Sequence, residues 1–355
     1  MRTMLPGKGL SLEPFTHAFT SIALSQTMRS RLPRWGMWML VAGGVAPDID
    51  AVGWFLGPNA FFYLHRAALH SFFGGAILAC ALAFAFVYAD KEIPFTHPQK
   101  KKPAPLTFWI AAAFCGAGIV GHVALDLLST IGVALFWPFY RKFYGTDLVV
   151  NLDFWMIAIL IFGLGLPLLI RMVNEEIGAK KKKKEGVSIA AVVTFALLAV
   201  YLGGRAGIRA RAVHLLLYRD YFGREANSAQ AYPTFASPFV WRGVIDTDDT
   251  MEVISVPVLQ ADQFENTRSL SFFKPDTSPE LKKAQATADA THYLLYARDP
   301  IAKTDMREDD FRVEIRDLRF APDDTSPENI ICRVQFNSLL KERYEKYVYA
   351  TVFTP

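Results

Sequence analysis

The chain has 355 residues, of which the apolar set AVILMFWYC makes up 52% and charged residues only 20%, and its mean hydropathy is +0.20. An average soluble domain carries about 25% charge, so this composition points to a membrane and excludes disorder and collagen-like repeats; three Cys cannot staple a chain of this size. The formal net charge of +4 joins two unlike parts: residues 1–219 hold 22 Lys and Arg against 11 acids, a balance of +11, and residues 220–355 hold 16 against 23, a balance of −7.

The first part carries five apolar stretches long enough to cross about 30 Å of hydrocarbon: Gly36–Leu56, Phe72–Ala89, Leu106–Leu128, Phe154–Met172 and Val187–Leu202. A sixth, Pro14–Thr27, is apolar on one side only and needs neighbours to cover its Ser, Thr and His17. Lys and Arg near helix ends are retained on the cytoplasmic side. Arg29, Arg31 and Arg34, then Lys91 with Lys100–Lys102, then Arg171 with Lys180–Lys184 mark three inside loops, whereas 57–70 and 129–152 carry only Arg66, Arg141 and Lys142 and are assigned outside. Six segments then alternate, with the N-terminus and the exit from the last segment both on the outer side. No cleavable signal peptide is read at the start of the chain.

This pattern predicts a polytopic α-helical membrane bundle of about six segments over 1–204, followed by a β-rich α+β extramembrane domain. Between them, 205–226 is expected to be an interfacial amphipathic helix or linker, with Arg205, Arg209 and Arg211 on Arg205–Tyr221 facing lipid phosphates. Residues 227–355 have the composition of a soluble domain, placed outside by the same charge argument. Alternation predicts strands at Phe239–Ile245, Met251–Val258, Tyr293–Ala297, Phe311–Phe320, Ile331–Asn337 and Tyr347–Phe353. Thr277–Thr287 reads as a short helix capped by Ser278, with Pro279 at its first position.

Chemistry is concentrated in the ionisable residues of the apolar part. Five of its acids (Asp90, Glu92, Glu175, Glu176, Glu185) belong to inside loops, and Glu13 and Asp147 lie near outer ends. Asp48, Asp50, Asp126 and Asp153 remain, and an ionisable group within a membrane segment costs roughly 2.5–3.5 kcal/mol and usually marks function. The Lys and Arg topology places all four near outer ends, together with His17, His65, His70 and His122. His122 and Asp126 are four apart, on one helix face, where two ligands can meet one ion. Asp48-Ile49-Asp50 follows Pro47, so a bent or terminating helix could aim both carboxylates at one site or let them bridge two ions. Arg66, between His65 and His70, could neutralise an oxyanion. His with Asp is a ligand set favoured by zinc, and more than four such ligands commonly hold two ions. His97, His214 and His292 fall outside the cluster and are read as ordinary polar residues. Trp137, Phe139, Tyr140, Phe143 and Tyr144 read as an aromatic belt or re-entrant wall. No phosphate-cradling Gly-rich loop, nucleophile elbow or zinc-finger Cys spacing is present, and the basic Lys run lacks the interleaved aromatics of a nucleic-acid site.

Thr16-His17-Ala18, Pro47-Asp48-Ile49-Asp50, Leu64-His65-Arg66 leading to His70-Ser71, Gly121-His122 through Leu125-Asp126-Leu127-Leu128-Ser129-Thr130, Gly132 and Trp137-Pro138-Phe139 resemble, in that order, the membrane-bound metal-dependent hydrolases. These are also described as LexA-binding, inner-membrane-associated, YdjM-like hydrolases. Ser237-Pro238-Phe239-Val240-Trp241-Arg242 and Asp317-Leu318-Arg319-Phe320 are similar to the outer domain of longer members. Leu69 departs from the pattern, since members often carry Thr before the His-Ser pair. The His-x-x-x-Asp helix is similar in style to zinc-dependent phospholipase C. The resemblance implies a bacterial, multi-pass inner-membrane protein with a hydrolase reaction and a metal.

Together these readings lead to an expected metal-dependent hydrolase of a phosphoester or ester in lipid or lipid-linked material. The expected ligands are His17, Asp48, Asp50, His65, His70, His122 and Asp126, holding one or two zinc ions, with Mn or Mg as alternatives. Asp50 or Asp153 is the expected general base and Arg66 the oxyanion partner. Membrane lipid is the expected partner, nucleic acid is not, and the outer domain, on the periplasmic side, could recruit a protein. Two other classes use the same residues: a proton- or ion-coupled transporter, and a non-catalytic anchor tied by a structural metal.

Overall fold

The structure, a computed structural model, describes residues 13–56, 58–93, 104–177, 188–235, 237–307, 310–320, 330–337 and 342–349. His97, the Lys100–Lys102 and Lys180–Lys184 runs, and the end of the strand expected at Tyr347–Phe353 lie outside the described residues. Two compact units divide the chain: Ser11–Val52 with Leu64–Gly204, and Gly53–Tyr63 with Arg205–Pro355.

Helices come first: α1 (Glu13–Thr27), α2 (Gly36–Val45), α3 (Pro58–Leu64), α4 (Phe72–Glu92), α5 (Phe108–Asp126), α6 (Phe154–Glu176) and α7 (Ile189–Leu217). Among the described residues, four stretches, Phe72–Glu92, Phe108–Asp126, Phe154–Asn174 and Ile189–Leu217, are long and apolar enough to cross a membrane. The other two expected segments are shorter, since α1 has 15 residues and α2 has 10, or about 22 and 15 Å at the helical rise. The apolar run Gly36–Leu56 therefore does not form one spanning helix. After Val45 the backbone tightens into a 3-10 stretch, Ala46–Leu56, at the point where Pro47 removes an N–H from the ladder.

Hydroxyl caps start two of the long helices: Ser71 accepts from the Gly74 N–H at 3.0 Å, and Thr107 accepts from the Ile110 N–H at 3.4 Å. Glycines then set how closely α2 and α5 pack. A Cβ at Gly43 would lie 2.1 Å from the Cys115 carbonyl oxygen, and one at Gly118 would lie 2.3 Å from that of Leu40, so the two backbones touch directly, as small residues allow in lipid. One end of the helical unit is tied by Asp90. It accepts from Arg34 at 3.2 Å, from the Trp35 indole at 2.9 Å and from the Leu106 N–H at 3.1 Å. Leu106 directly precedes the Thr107 cap of α5, so the start of α5 lies at this end and His122 to Asp126 at the far one.

Beyond that far end, residues 127–153 fold back without regular structure. Val133 pairs with Tyr144 and Ser129 with Val149, while the Ala134 N–H donates to the Arg66 carbonyl at 2.9 Å and the Phe72 N–H to that of Leu135 at 3.0 Å. Gly132 turns at φ +74°, where a Cβ would meet the Tyr144 carbonyl oxygen at 2.1 Å, so only glycine fits. Of the expected aromatic wall, Phe139 and Tyr140 are exposed whereas Phe143 is buried against Ala67 and Ala134.

The second unit holds β1 (Ser228–Pro233), β2 (Val240–Asp246), β3 (Thr250–Pro257), α8 (Ala261–Glu265), β4 (Leu270–Phe273), α9 (Pro279–Gln285), α10 (Ala288–Tyr296), β5 (Pro300–Arg307), β6 (Asp310–Asp317), β7 (Ile330–Asn337) and β8 (Glu342–Tyr349). The strands form two antiparallel meanders, β1-β2-β3-β4 and β5-β6-β7-β8, with Trp241 opposite Val256 in the first and Val313 opposite Val334 in the second. Period-two alternation buries both faces of the first sheet. Trp241, Ile245, Ile254 and Val256 pack with Ala212 and Leu216, and Val244 and Val253 pack with Tyr232, Ile301 and Leu318. Tyr63 in this unit lies edge-on to His292, ring centroids 5.2 Å apart.

Two expectations are corrected here. Arg205–Tyr221 is no separate interfacial helix: up to Leu217 it is the continuation of α7, and its apolar face is buried on the first sheet. Arg205 is only 2% exposed; its guanidinium sits 4.4 Å from the Trp241 ring and donates to the Pro238 carbonyl at 2.6 Å, so the arginine is used inside the unit. Tyr293–Ala297 is not a strand but lies at the end of α10, because Ala290, Tyr293 and Tyr296 are buried at intervals of three, a helical and not an alternating spacing. The expected helix capped by Ser278 is α9, with the Ser278 hydroxyl accepting from the Leu281 N–H at 3.1 Å.

Candidate metal centre

Four segments bring ionisable side chains to the end of the helical unit opposite Asp90. His17 comes from the second turn of α1, Asp48 and Asp50 from the 3-10 stretch after α2, and His65, Arg66 and His70 from the turn before α4. His122 and Asp126 come from the last turns of α5. The Ser71 cap places His70 directly before the helix. His70, His122 and Asp126 are 0%, 1% and 3% exposed, an extreme burial for such groups that requires partners for each.

At the centre, four atoms converge. His70 Nε2 and His122 Nε2 are 3.0 Å apart. Asp126 Oδ2 lies 3.1 Å from the first and 3.3 Å from the second, and Asp48 Oδ1 lies 3.9 and 3.6 Å from them. His17 joins from the side: its ring stacks on His122 with centroids 3.8 Å apart, and its Nε2 is 3.4 Å from Asp126 Oδ1. Two trios, His17 with His122 and Asp126, and Asp48 with His70 and His122, are arranged so that they could hold a metal ion. They share His122, so they describe one centre.

The remaining atoms decide how these ligands are oriented. His122 Nδ1 lies 2.8 Å from the Gly44 carbonyl; a carbonyl only accepts, so the proton is on Nδ1 and the lone pair on Nε2 points inward. His70 Nδ1 faces Asp50 Oδ2 at 3.0 Å, so a carboxylate stands behind this ring. Asp50 also accepts from His65 Nδ1 at 2.9 Å and from the Arg66 N–H at 3.1 Å. Both oxygens of Asp50 are thereby committed outside the central four, and the structure places it, with His65, as a support behind His70. A histidine whose far nitrogen donates to a carbonyl or carboxylate is the arrangement found behind metal ligands.

Arg66 sits in the left-handed region, φ +55°, and is 2% exposed. Its guanidinium donates to Ser129 Oγ at 2.7 Å and pairs with Asp126 Oδ1 at 3.3 Å. Asp153 lies apart from the central four. Its Oδ1 accepts from the Trp155 and Met156 N–H groups, each at 3.0 Å, and its Oδ2 accepts from the Tyr201 hydroxyl at 2.7 Å, so it caps α6. A cavity of about 20 Å³, lined by Thr16, His17, Arg66, Asp126, Ser129 and Asn151 among others, adjoins the centre and has room for about one water.

The donor set fits a divalent cation. Asp48 Oδ1, Asp126 Oδ2 and His122 Nε2 all present lone pairs, and one proton on His70 Nε2 cannot serve three acceptors at once. Asp126 Oδ2 and Asp48 Oδ2 are buried without a hydrogen-bond partner. Zinc–nitrogen bonds of about 2.0–2.1 Å put tetrahedral ligands about 3.3 Å apart, and the closest four separations here span 3.0 to 3.6 Å. Of the seven expected ligands, the structure brings His17, Asp48, His70, His122 and Asp126 to the centre and sets Asp50 and His65 one layer back. The Gly44 carbonyl and the Ser129 hydroxyl were not singled out from the sequence as supports. No residue pattern announces a carbonyl's role, whereas Ser129 stands three residues after Asp126 and could have been examined as its neighbour.

A family model described as YdjM inner membrane protein matches residues 12–208, which include every residue of this centre. No curated protein and no solved structure matches the chain.

Proposed function

The chain belongs to the YdjM inner membrane protein family, and from that premise we propose that it is a multi-pass metal-dependent hydrolase acting on a phosphoester or ester of a lipid or lipid-linked substrate. The observation that carries this reading is the convergence of His70 Nε2, His122 Nε2, Asp126 Oδ2 and Asp48 Oδ1, buried and oriented from behind by Asp50 and the Gly44 carbonyl. When bound, a divalent ion such as zinc would supply Lewis acidity and bring a water's pKa near neutrality. The chain's own residues do the rest. His70, His122, Asp48 and Asp126 would hold the ion, with His17 stacked beside them. Asp50 keeps the His70 ring in place, and Asp48, whose Oδ2 has no hydrogen-bond partner, is positioned to take a proton. Asp153 gives its oxygens to the α6 N–H groups and the Tyr201 hydroxyl and has no place in this reading as a base.

In this reading α1, and α2 with its 3-10 extension, add two shorter segments to the four spanning helices, and the Lys and Arg distribution puts the metal-centre end and the sheet-rich unit on the periplasmic side. A cysteine at position 188, beside the Gln26 carbonyl that accepts its N–H, should be labelled only from the cytoplasm.

The test is metal content of the detergent-purified protein, repeated for His122→Ala and Asp126→Ala, with turnover assayed on phospholipids and lipid pyrophosphates. Metal lost in both variants together with turnover in the wild type supports the proposal, and metal content unaffected by either substitution refutes it. One observation favours a second reading. Among the described residues, His70, His122 and Asp126 are buried and the cavity beside them has room for about one water, and closed sites are the mark of structural metals. Stoichiometric metal without turnover on any of these lipids would select that reading.

A further inference from the structure

The two oxygens of Asp126 have different neighbours. Oδ2 faces the imidazole nitrogens of His70 and His122 at 3.1 and 3.3 Å, while Oδ1 faces the Arg66 guanidinium at 3.3 Å, with His17 Nε2 beside it at 3.4 Å. An aspartate at the heart of a His/Asp cluster can bind one ion through one oxygen, one ion through both, or two ions by bridging. Bridging requires a second cation on the Oδ1 side, and that place is taken by a guanidinium, which stays charged in proteins. Arg66 cannot readily withdraw. Its NH1 is held by Ser129 Oγ at 2.7 Å, its own N–H donates to Asp50 Oδ2 at 3.1 Å, and its carbonyl accepts from the Ala134 N–H at 2.9 Å. It is also 2% exposed, so solvent screens little of its repulsion toward another cation.

We propose that Arg66 is a positioning residue that takes the place of a second cation and so holds the centre to a single divalent ion bound by one oxygen of Asp126. The inference rests on the metal-centre reading above and deepens it, since it assigns the ion number and the denticity of one ligand. It also gives Arg66 a role different from contact with a substrate oxyanion: both of its polar ends are spent on Ser129 and Asp126.

The experiment uses the full-length chain in detergent, loaded with Zn²⁺ or Co²⁺ and freed of excess metal. Metal per chain is measured by elemental analysis, and the coordination of Co²⁺ by its visible absorption, which is strong in four-coordinate and weak in six-coordinate sites. The wild type is expected to hold one ion with the intense spectrum. Arg66→Met, which keeps length and removes charge, should either raise the ratio toward two or cut the absorption severalfold as Asp126 becomes bidentate. Arg66→Lys should restore the wild-type ratio. Ser129→Ala, which loosens the guanidinium without removing it, should fall between them and serves where Arg66→Met does not fold. Two ions per chain in the wild type overturn the proposal, as does a ratio and spectrum unchanged in both Arg66→Met and Ser129→Ala. Failure of the underlying metal-centre reading is distinct, because the wild type would then bind no metal at all.

Discussion

Gly118→Ala tests whether helix packing sets the metal centre from a distance. A Cβ at position 118 would lie 2.3 Å from the Leu40 carbonyl oxygen and 2.9 Å from the Gly44 nitrogen, and ordinary carbon–oxygen contacts begin near 3.3 Å. Both obstacles are backbone, so α2 and α5 must separate locally by about 1 Å. The His122 Nδ1 to Gly44 carbonyl contact, 2.8 Å across the same interface, then lengthens past the hydrogen-bond limit of about 3.2 Å. Losing such a partner behind a metal-binding histidine weakens metal affinity by about 10–100-fold. Gly121→Ala is the control: it lies on the same helix but nothing stands within 4 Å of its added Cβ, and replacing a helical glycine there gains up to about 1 kcal/mol. Competition with a chromophoric chelator on the two detergent-purified variants gives the affinities directly. The reasoning fails if Gly118→Ala binds zinc like the wild type, or if both variants weaken it equally.

Asp153→Ala should leave metal content unchanged while lowering the thermal stability of the helical unit by about 1–2 kcal/mol, the value of a lost cap together with its Tyr201 partner; metal loss on this substitution would restore Asp153 to the centre. Asp50→Ala should weaken zinc binding without abolishing it, since it supports His70 without facing the other central atoms, and affinity titration separates this from the complete loss expected for His122→Ala. In the sheet-rich unit, burial, aided by nearby Asp317, pushes the Asp299 carboxyl up from 3.8 to about 6 against the opposing pull of the Tyr232 hydrogen bond and of Arg319 and Arg298. The sign follows: the folded state holds this proton more tightly than the unfolded, so stability is fully present below pH 3.8 and falls as pH rises to about 6. At full burial the loss would be about 3 kcal/mol, and partial exposure brings it to about 1–2 kcal/mol. Asp299→Asn, which keeps an acceptor for the Tyr232 hydroxyl, should flatten that slope in chemical unfolding curves taken between pH 4 and 7, and an unchanged slope would show that another group titrates.

The parts of the centre that were legible in the sequence are those with a simple period. His122 and Asp126 stand four apart in an apolar run, and an i, i+4 pair in a helix meets on one face whatever its surroundings. Asp48 and Asp50 were not separable in the same way, because their roles depend on the backbone becoming a 3-10 helix after Val45. With three residues per turn, positions two apart point about 120° away from each other, so Asp48 faces His70 and His122 while Asp50 turns toward His65 and the Arg66 N–H. Hydropathy likewise marked Gly36–Leu56 as one span, since apolar character persists past Val45 although helical hydrogen bonding does not. In the sheet-rich unit β2, β3, β6 and β7 followed from alternation, but Ser228–Pro233, Leu270–Phe273 and Pro300–Arg307 did not. Ser, Gln and Lys in these strands give no apolar alternation, and their pairing comes from neighbouring strands.

The Lys and Arg distribution assigns all four acids of the apolar part to one depth, and the geometry sorts them by which oxygens the protein has already used. Asp153 gives both oxygens to the α6 N–H groups and Tyr201. Asp50 gives both to His65, Arg66 and the far side of His70. Asp126 gives Oδ1 to Arg66 and keeps Oδ2 for the centre, and Asp48 turns Oδ1 to the two imidazole nitrogens. The acids that are spent form the frame, and the atoms left over are the ones that meet His70 and His122. Since a buried carboxylate oxygen without a partner costs several kcal/mol, the frame calls for positive charge at the point where those leftover atoms converge, and a divalent ion held there could supply it.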